Sequence, residues 1–315
     1  MWRILINAYA CLRHTRLIYR YMRNTGRCLN VAVPGSIEEK YLWRKIFDTN
    51  PLFPQLCDKL LVKQYVASRC PDLLIPETLW MGTSCDDVPD NLLAGPAVLK
   101  SNHASGHLVF LDGEAADRTA LRKLTDRWLA RPYGQKNGEW GYRNIDRKLF
   151  IEELIQGDTG EPLEDFNAYV MNGKVQHIHC LRERHGPNPT TSRYDRDGSQ
   201  FELQYSPTFT TVFADPPAQY RHIIELAEQL GAGFDHMRCD FYLCGGLIYF
   251  SEMTVYSAAG FPESEGRLRQ TWTASWDLRH SWFLTAPQSG WRGAYARWLG
   301  SVWDDAAVSS DRGFT

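Results

Sequence analysis

"RCDFYLCGGLIYFSEMT", residues Arg238 to Thr254, reads as two short apolar strands around a Cys-Gly-Gly turn. Each strand carries one acid where an apolar residue is expected, Asp240 and Glu252. Side chains on a strand alternate faces, so the two carboxylates can share one face and converge across the hairpin. Two carboxylates held together repel unless a cation lies between them. Mg²⁺ answers that need, being a hard cation bound by one or two carboxylates together with substrate phosphates and water. Thr254, two beyond Glu252, adds an oxygen on the same face, and Arg238 stands two before Asp240. The plain alternative is a solvated hairpin with Arg238 and Asp240 as a surface ion pair. It explains each residue singly better than the set Arg-x-Asp…Glu-x-Thr.

An amphipathic helix, "AQYRHIIELAEQLGAG", precedes this hairpin and is closed by Gly231. Further upstream, "EDFNAYVMNGKVQHIHCLRE" reads as a hairpin turning at Asn172-Gly173, with Asp165 and Asn167 on one face. Its second strand carries His177, His179, Arg182 and then Arg184, a set suited to an anionic substrate. Solvated or core-satisfied histidines are the default reading. "FIEELIQG" (150–157) places Glu152-Glu153 in an apolar strand, either a solvated strand end or a strand offering backbone and a carboxylate to a nucleobase. "VLKSNHASGHLVF" (98–110) is strand, small-residue loop, strand. Lys100 ends its first strand, and the loop Ser101–Gly106 can close over phosphates with backbone N–H groups. No Walker motif is present.

The spacing predicts helices over 2–23, 37–47, 57–70 and 117–130, the second with a Ser36–Glu39 capping box. Strands are predicted at "LLIPETLWMG", "GPAVLKSN" and "KLFIEELI". The result is an α+β pattern, not a simple alternating doubly wound sheet. Six of the 11 tryptophans fall in the last 50 residues, which predicts a helical cap packed on the body. A net charge of −2 gives no basic excess for nucleic acid. The 8 cysteines lack Cys-x-x-Cys or zinc spacing, which fits free thiols in a reducing compartment. A cytoplasmic chain is expected, since the N-terminal apolar stretch is short, broken by Asn7 and followed by arginines. Helix 2–23 carries Arg3, Arg13, Arg16, Arg20 and Arg23, with no acid before Glu38. It reads as a docking helix with a solvated Arg face, or as a helix resting on an anionic membrane surface or partner.

Taken in order, these segments resemble an ATP-grasp enzyme, and more narrowly the TupA-like ATP-grasp family, named for a teichuronopeptide-biosynthesis protein. The resemblance runs from "RNTGRCLN" and "SIEEKYLWRKIFDTNPL" through "CDKLLVKQYV", "AVLKSNHASGH" and "FIEELI" to "YFSEMTVYSAAGF", residues 24–261. It implies the ATP-grasp fold, with nucleotide between two α+β subdomains. By position it implies that Lys59 and Lys100 contact ATP phosphates and that Ser101–Gly106, with Ser105, form a flexible lid. It implies that Glu152 faces the adenine amino group, that the Glu153 and Ile155 backbone binds the adenine edge, and that Asp165 lies near the nucleotide. Arg238 would stabilise the phosphoryl transition state, and Asp240, Glu252 and Thr254 would hold Mg²⁺. The chain departs from the family pattern in three places. Glu252-Met253-Thr254 replaces Glu-x-Asn, Asp165-Phe166-Asn167 replaces Asp-Tyr-Lys, and "VYSAAG" replaces a Gly/Pro-rich stretch.

Four regions follow: a helical basic segment (1–50), the N-terminal and lid part (51–150), a C-terminal subdomain with the metal site (151–265) and a Trp-rich cap (266–315). The implied function is an ATP- and Mg²⁺-dependent carboxylate–amine ligase acting through an acyl phosphate. Its expected product is an amide on a cell-surface polysaccharide or precursor, from a uronic acid and an amino acid. His179, Arg182 and Arg184 are candidate substrate contacts. The alternatives are a small-molecule peptide ligase, a kinase on the same fold, and a non-catalytic scaffold.

Overall fold

The computed structural model describes residues 1–112, 117–157, 163–201, 208–261 and 266–311. Helices are α1 (Trp2–Arg13), α2 (Thr15–Thr25), α3 (Ile37–Ile46), α4 (Phe53–Cys57), α5 (Leu61–Arg69), α6 (Asp90–Leu93), α7 (Arg118–Ala130), α8 (Tyr220–Gly231), α9 (Gly266–Ser275), α10 (Trp282–Thr285) and α11 (Gly290–Asp311). Strands are β1 (Thr78–Gly82), β2 (Pro96–Ser101), β3 (Leu108–Asp112), β4 (Leu149–Glu153), β5 (Glu164–Met171), β6 (Lys174–Arg182), β7 (Thr190–Asp195), β8 (Thr210–Thr211), β9 (His236–Cys244) and β10 (Leu247–Thr254). They form two sheets, ordered β1-β4-β2-β3 and β10-β9-β5-β6-β7-β8. Among the described strands only the β7–β8 pairing is parallel, and an isolated bridge joins Leu74 to Tyr249 in parallel. No helix among the described residues is long and apolar enough to cross a membrane.

Alternation along the strands sorts the larger sheet into two faces. Phe166, Ala168, Ile178, Cys180, Cys239 and Phe241 point to one side and pack on α5 and α8 through Val66, Ile223 and Ala227. Their neighbours Asp165, Asn167, His179 and Asp240 are buried on the other side. The smaller sheet is likewise two-faced. Leu99 and Ile151 join the core over Leu121 and Trp128, while Lys100 and Glu152 take the opposite face. A third core packs α1–α3 against α9–α11 around Trp43, Trp276 and Tyr295. The Trp-rich tail, described to residue 311, thus packs against the N-terminal helices.

Several elements differ from the expected ones. Helix 2–23 is two helices, α1 and α2, broken at His14 (φ −128°, ψ 35°). The 57–70 helix begins only at Leu61, because the Asp58 carboxylate accepts from the Leu60 and Leu61 N–H groups and turns the chain there. "LLIPETLWMG" splits at Pro76. The Leu74 carbonyl accepts from Phe250 N–H in the large sheet, while Thr78–Gly82 joins the small one. Gly231 is not the left-handed stop; that is Gly233 (φ +86°). Gly231 is needed because a Cβ there would lie 2.6 Å from Val170. The capping box and the Asn172-Gly173 turn, both of its residues at positive φ, form as expected.

Asp48 tests the electrostatics of the third core. Its Oδ2 is buried without a hydrogen-bond partner among the described residues, 3.9 Å from Arg44 Nε. Burial, reinforced by Asp235, pushes its carboxyl up to about 7. The native state then keeps a proton that the unfolded chain releases, so this contribution is full below 3.8 and is lost as pH rises through about 7. Asp48→Asn removes the dependence. The melting temperature of the variant relative to wild type should therefore climb across that window, and a flat difference would refute the raised carboxyl.

Candidate active site

The β9–β10 hairpin brings the two acids together by a route the sequence does not advertise. From Leu247↔Cys244 to Phe250↔Phe241 the register is regular, and it would set Ser251 opposite Asp240. A bulge between Phe250 and Glu252 shifts it, so that Glu252 faces Asp240 and Thr254 faces Arg238. A polar row then crosses five strands in register: Glu252, Asp240, Asn167, His179 and Arg193.

Arg238 Nε and Nη2 reach the Asp240 carboxylate at 2.8 and 2.5 Å. Burial pushes the Asp240 carboxyl up to about 6 against the pull of Arg238. Glu252 receives Lys59 Nζ at 2.8 Å. Burial acts to raise the Glu252 carboxyl, yet Lys59 and then Arg238 outweigh it and hold it below the usual range; Lys100 of the small sheet adds to them. Lys59 is placed by a latch. Its N–H donates to the Asn102 carbonyl at 2.9 Å, and Asn102 Nδ2 donates to Asp58 Oδ2 at 3.0 Å.

On the facing sheet the Glu152 carboxylate lies between two ammonium groups, Lys63 at 2.7 Å and Lys100. Burial would raise its carboxyl, but Lys100 and Lys63 hold it low. Glu152, expected to face an adenine amino group, thus has both lysines on its carboxylate in this structure. Lys63 also donates to Pro76 O and Thr78 Oγ1, so its three donors are satisfied. Glu152 is the one partner of Lys100 among the described residues, which leaves donors over for another anion.

In the loop after Lys100, Ser101–Ala104 are buried and only Ser105 and Gly106 are exposed. Gly106 takes a left-handed φ of +75°, with nothing within 4 Å of a Cβ, so conformation explains this glycine. Ser101 lies one residue from Lys100 and so faces the opposite side, where its hydroxyl meets His107 Nδ1 at 3.0 Å. The Glu153 N–H is taken by the Glu77 carbonyl, and Ile155 follows the end of β4.

Asp165 and Asn167 do share a face, joined at 2.7 Å. Arg184 reaches Asp165 Oδ2 at 2.8 Å. Burial raises the Asp165 carboxyl in spite of Arg184. His179 lies in the polar row, is bonded to Thr191 Oγ1 at 2.5 Å, and is driven by burial well below its ordinary pKa, hence neutral. Arg182 is a correction. Strand alternation sends it to the other face with Cys180, where it binds Glu164, Ser192 (2.9 Å) and Tyr194 (3.3 Å). It cannot share a substrate with His179.

For a divalent cation the described residues offer oxygen donors only: Asp240 and Glu252 on paired positions, and Thr254 Oγ1, which is buried with no hydrogen-bond partner among the described residues. That donor set fits Mg²⁺. No cluster of three or more His, Cys, Asp or Glu side chains among the described residues converges on a metal position. Sequence reading missed Lys63 and the Asn102–Asp58 latch. The spacing Lys59-x-x-x-Lys63 was the available signal for the first; nothing local marks the second.

Known structures resemble the chain in part. A D-alanine–D-alanine ligase from Bacillus anthracis, solved with ATP, is 15% identical with a TM-score of 0.37 over 64% of this chain and 53% of that one. The ATP-grasp ligase PsnB, solved with a minimal precursor, Mg and ADP, gives 11%, 0.39, 76% and 67%. An L-amino acid ligase from Bacillus licheniformis gives 14%, 0.38, 70% and 43%. The chain thus spans about half the length of the first of these. No curated protein matches the sequence. The family model described as TupA-like ATPgrasp matches residues 39–269, well over half of the chain, and includes both sheets and every residue of the polar row. The α+β fold with its two facing sheets is the ATP-grasp fold, and the chain belongs to the TupA-like ATP-grasp family.

Proposed function

We propose that this chain is an ATP- and Mg²⁺-dependent carboxylate–amine ligase. The observation that carries the reading is the charge arrangement at Glu252, whose carboxylate meets Lys59 from the turn before α5 at 2.8 Å and lies in the field of Arg238 of the large sheet and Lys100 of the small one. A carboxylate oxygen of the substrate attacks the γ-phosphorus of ATP, the bond to the bridging oxygen breaks, and ADP leaves. An amine nitrogen then attacks the acyl carbon, the bond to phosphate breaks, and the amine proton passes to phosphate or solvent. The protein supplies no nucleophile. Lys59 and Lys100 hold the phosphate oxygens, Arg238 offsets charge on the transferring group, and Asp240, Glu252 and Thr254 would hold Mg²⁺. Bound there, the ion neutralises phosphate charge. The exposed Ser105–Gly106 tip is the part of the lid free to close and exclude water, which otherwise hydrolyses an acyl phosphate.

A uronic acid of a cell-surface polysaccharide or its precursor, amidated by an amino acid, is the substrate pair this reading favours. A screen of carboxylates against amines, reading ADP release with product mass, tests it. No Mg²⁺-dependent binding at millimolar ATP would sink the ligase reading, and a stable phosphorylated product formed without amine would mark a kinase. Lys100→Ala should weaken ATP roughly 10- to 100-fold, the loss of a charge-assisted hydrogen bond, and leave the carboxylate KM nearly unchanged. The reverse order would move Lys100 to the acceptor side.

A further inference from the structure

We propose that the exposed face of α1 and α2 docks on an anionic lipid bilayer. Helix α1 is apolar on two sides. One side, through Ile6 and Ala10, is buried in the core with the C-terminal helices and fixes the helix to the body. The other holds Ile4, Leu5, Ala8, Cys11 and Leu12, which fall on one stripe at helical spacing with no charge among them. Ile4 is 75% and Leu12 80% exposed. Helix α2 also exposes Tyr19 and Met22. A rigid helix that shows large aliphatic side chains to water is unsatisfied by the fold itself.

Charge selects the occupant. Arg13 at the end of α1 and Arg16 and Arg23 on α2 are exposed, and no carboxylate pairs with them among the described residues. The nearest acids in sequence are turned inward: Glu38 binds Arg269 and Glu39 caps α3. An exposed apolar stripe on a helix pair that also exposes unpaired arginines matches a surface that is apolar beneath and anionic on top, which is the interface of a bilayer with acidic headgroups. This inference stands apart from the ligase reading, because it uses none of that site's residues.

Vesicle co-sedimentation of the full chain tests it, with phosphatidylglycerol–phosphatidylcholine vesicles against phosphatidylcholine alone. Binding should require the anionic lipid and weaken as salt rises. Ile4→Asp with Leu12→Asp should cut the partition at least about tenfold, since a carboxylate is costly at apolar depth. Arg16→Gln with Arg23→Gln should cut it about fivefold per arginine, the effect of ~1 kcal/mol each near the surface. All these sites are exposed, and an unchanged melting temperature verifies each variant's fold. Equal sedimentation with both vesicle types, or undiminished binding by the Ile4/Leu12 variant, would overturn the proposal. So would a wild-type dimer in solution that this variant dissociates, because the face would then belong to a second copy of the chain.

Discussion

Glu252→Gln is expected to lower ADP formation by about 10³-fold or more while the protein stays folded. The change keeps the side chain's shape and removes the charge. Glu252 is half-buried, so its melting temperature should move little. What it loses is the anion that Lys59 and Arg238 surround, and with it one of two carboxylates available to a cation. Asp240→Asn should match it in activity but not in stability. Asp240 is buried and neutralises Arg238 on its own strand, so its loss strands a guanidinium. A destabilisation of about 1–3 kcal/mol is expected there. Calorimetry separates the roles, because both variants should lose the Mg²⁺ dependence of ATP binding. Turnover within tenfold of wild type in both would refute the assignment of these two acids.

The convergence of those acids is legible in the hairpin pattern, but the means of their pairing is not. Strand alternation suggested that Asp240 and Glu252 share a face, and they do. It takes a one-residue bulge, which no turn residue announces, to make them direct partners. Arg182 shows the same rule ignored. Its spacing of three from His179 placed it on the far face, and the sequence contained that information. Asn102 could not be found this way. Its bonds to Asp58 and Asp146 O span 44 residues each, and only the packed chain reveals them. The helix break before Leu61 was missed for a related reason: Asp58 fits a helix by pattern, yet its carboxylate accepts backbone N–H groups instead. The exposed stripe of α1 does not stand out in the sequence, because the two apolar sides of one helix look alike there.

Arg44→Met should destabilise the fold by about 3–5 kcal/mol, the cost of removing one partner from a buried ion pair. Arg44 is fully buried in α3. Its Nη1 donates to both the His236 and Val255 carbonyls at 3.0 Å, the first residue of β9 and the one just past β10. Its Nη2 binds Asp235 at 2.6 Å, and its guanidinium lies 4.7 Å from the Trp276 ring. Trp276 Nε1 closes the circuit on Asp235 Oδ2 at 2.6 Å. One side chain therefore ties the open end of the hairpin to α3 and to the C-terminal layer. Methionine fills the volume and supplies no donors, leaving two carbonyls and a carboxylate to be satisfied otherwise. Lysine keeps the charge but lacks the planar fork that spans both carbonyls, so Arg44→Lys should recover only part of the loss. Because the hairpin bears Asp240 and Glu252, Mg²⁺-dependent ATP affinity should fall in both variants at temperatures where they remain folded. A melting temperature unchanged in Arg44→Met would show that the hairpin closes without this clamp. An unchanged ATP affinity in a destabilised variant would show instead that Arg44 supports the fold but not the geometry of the two acids.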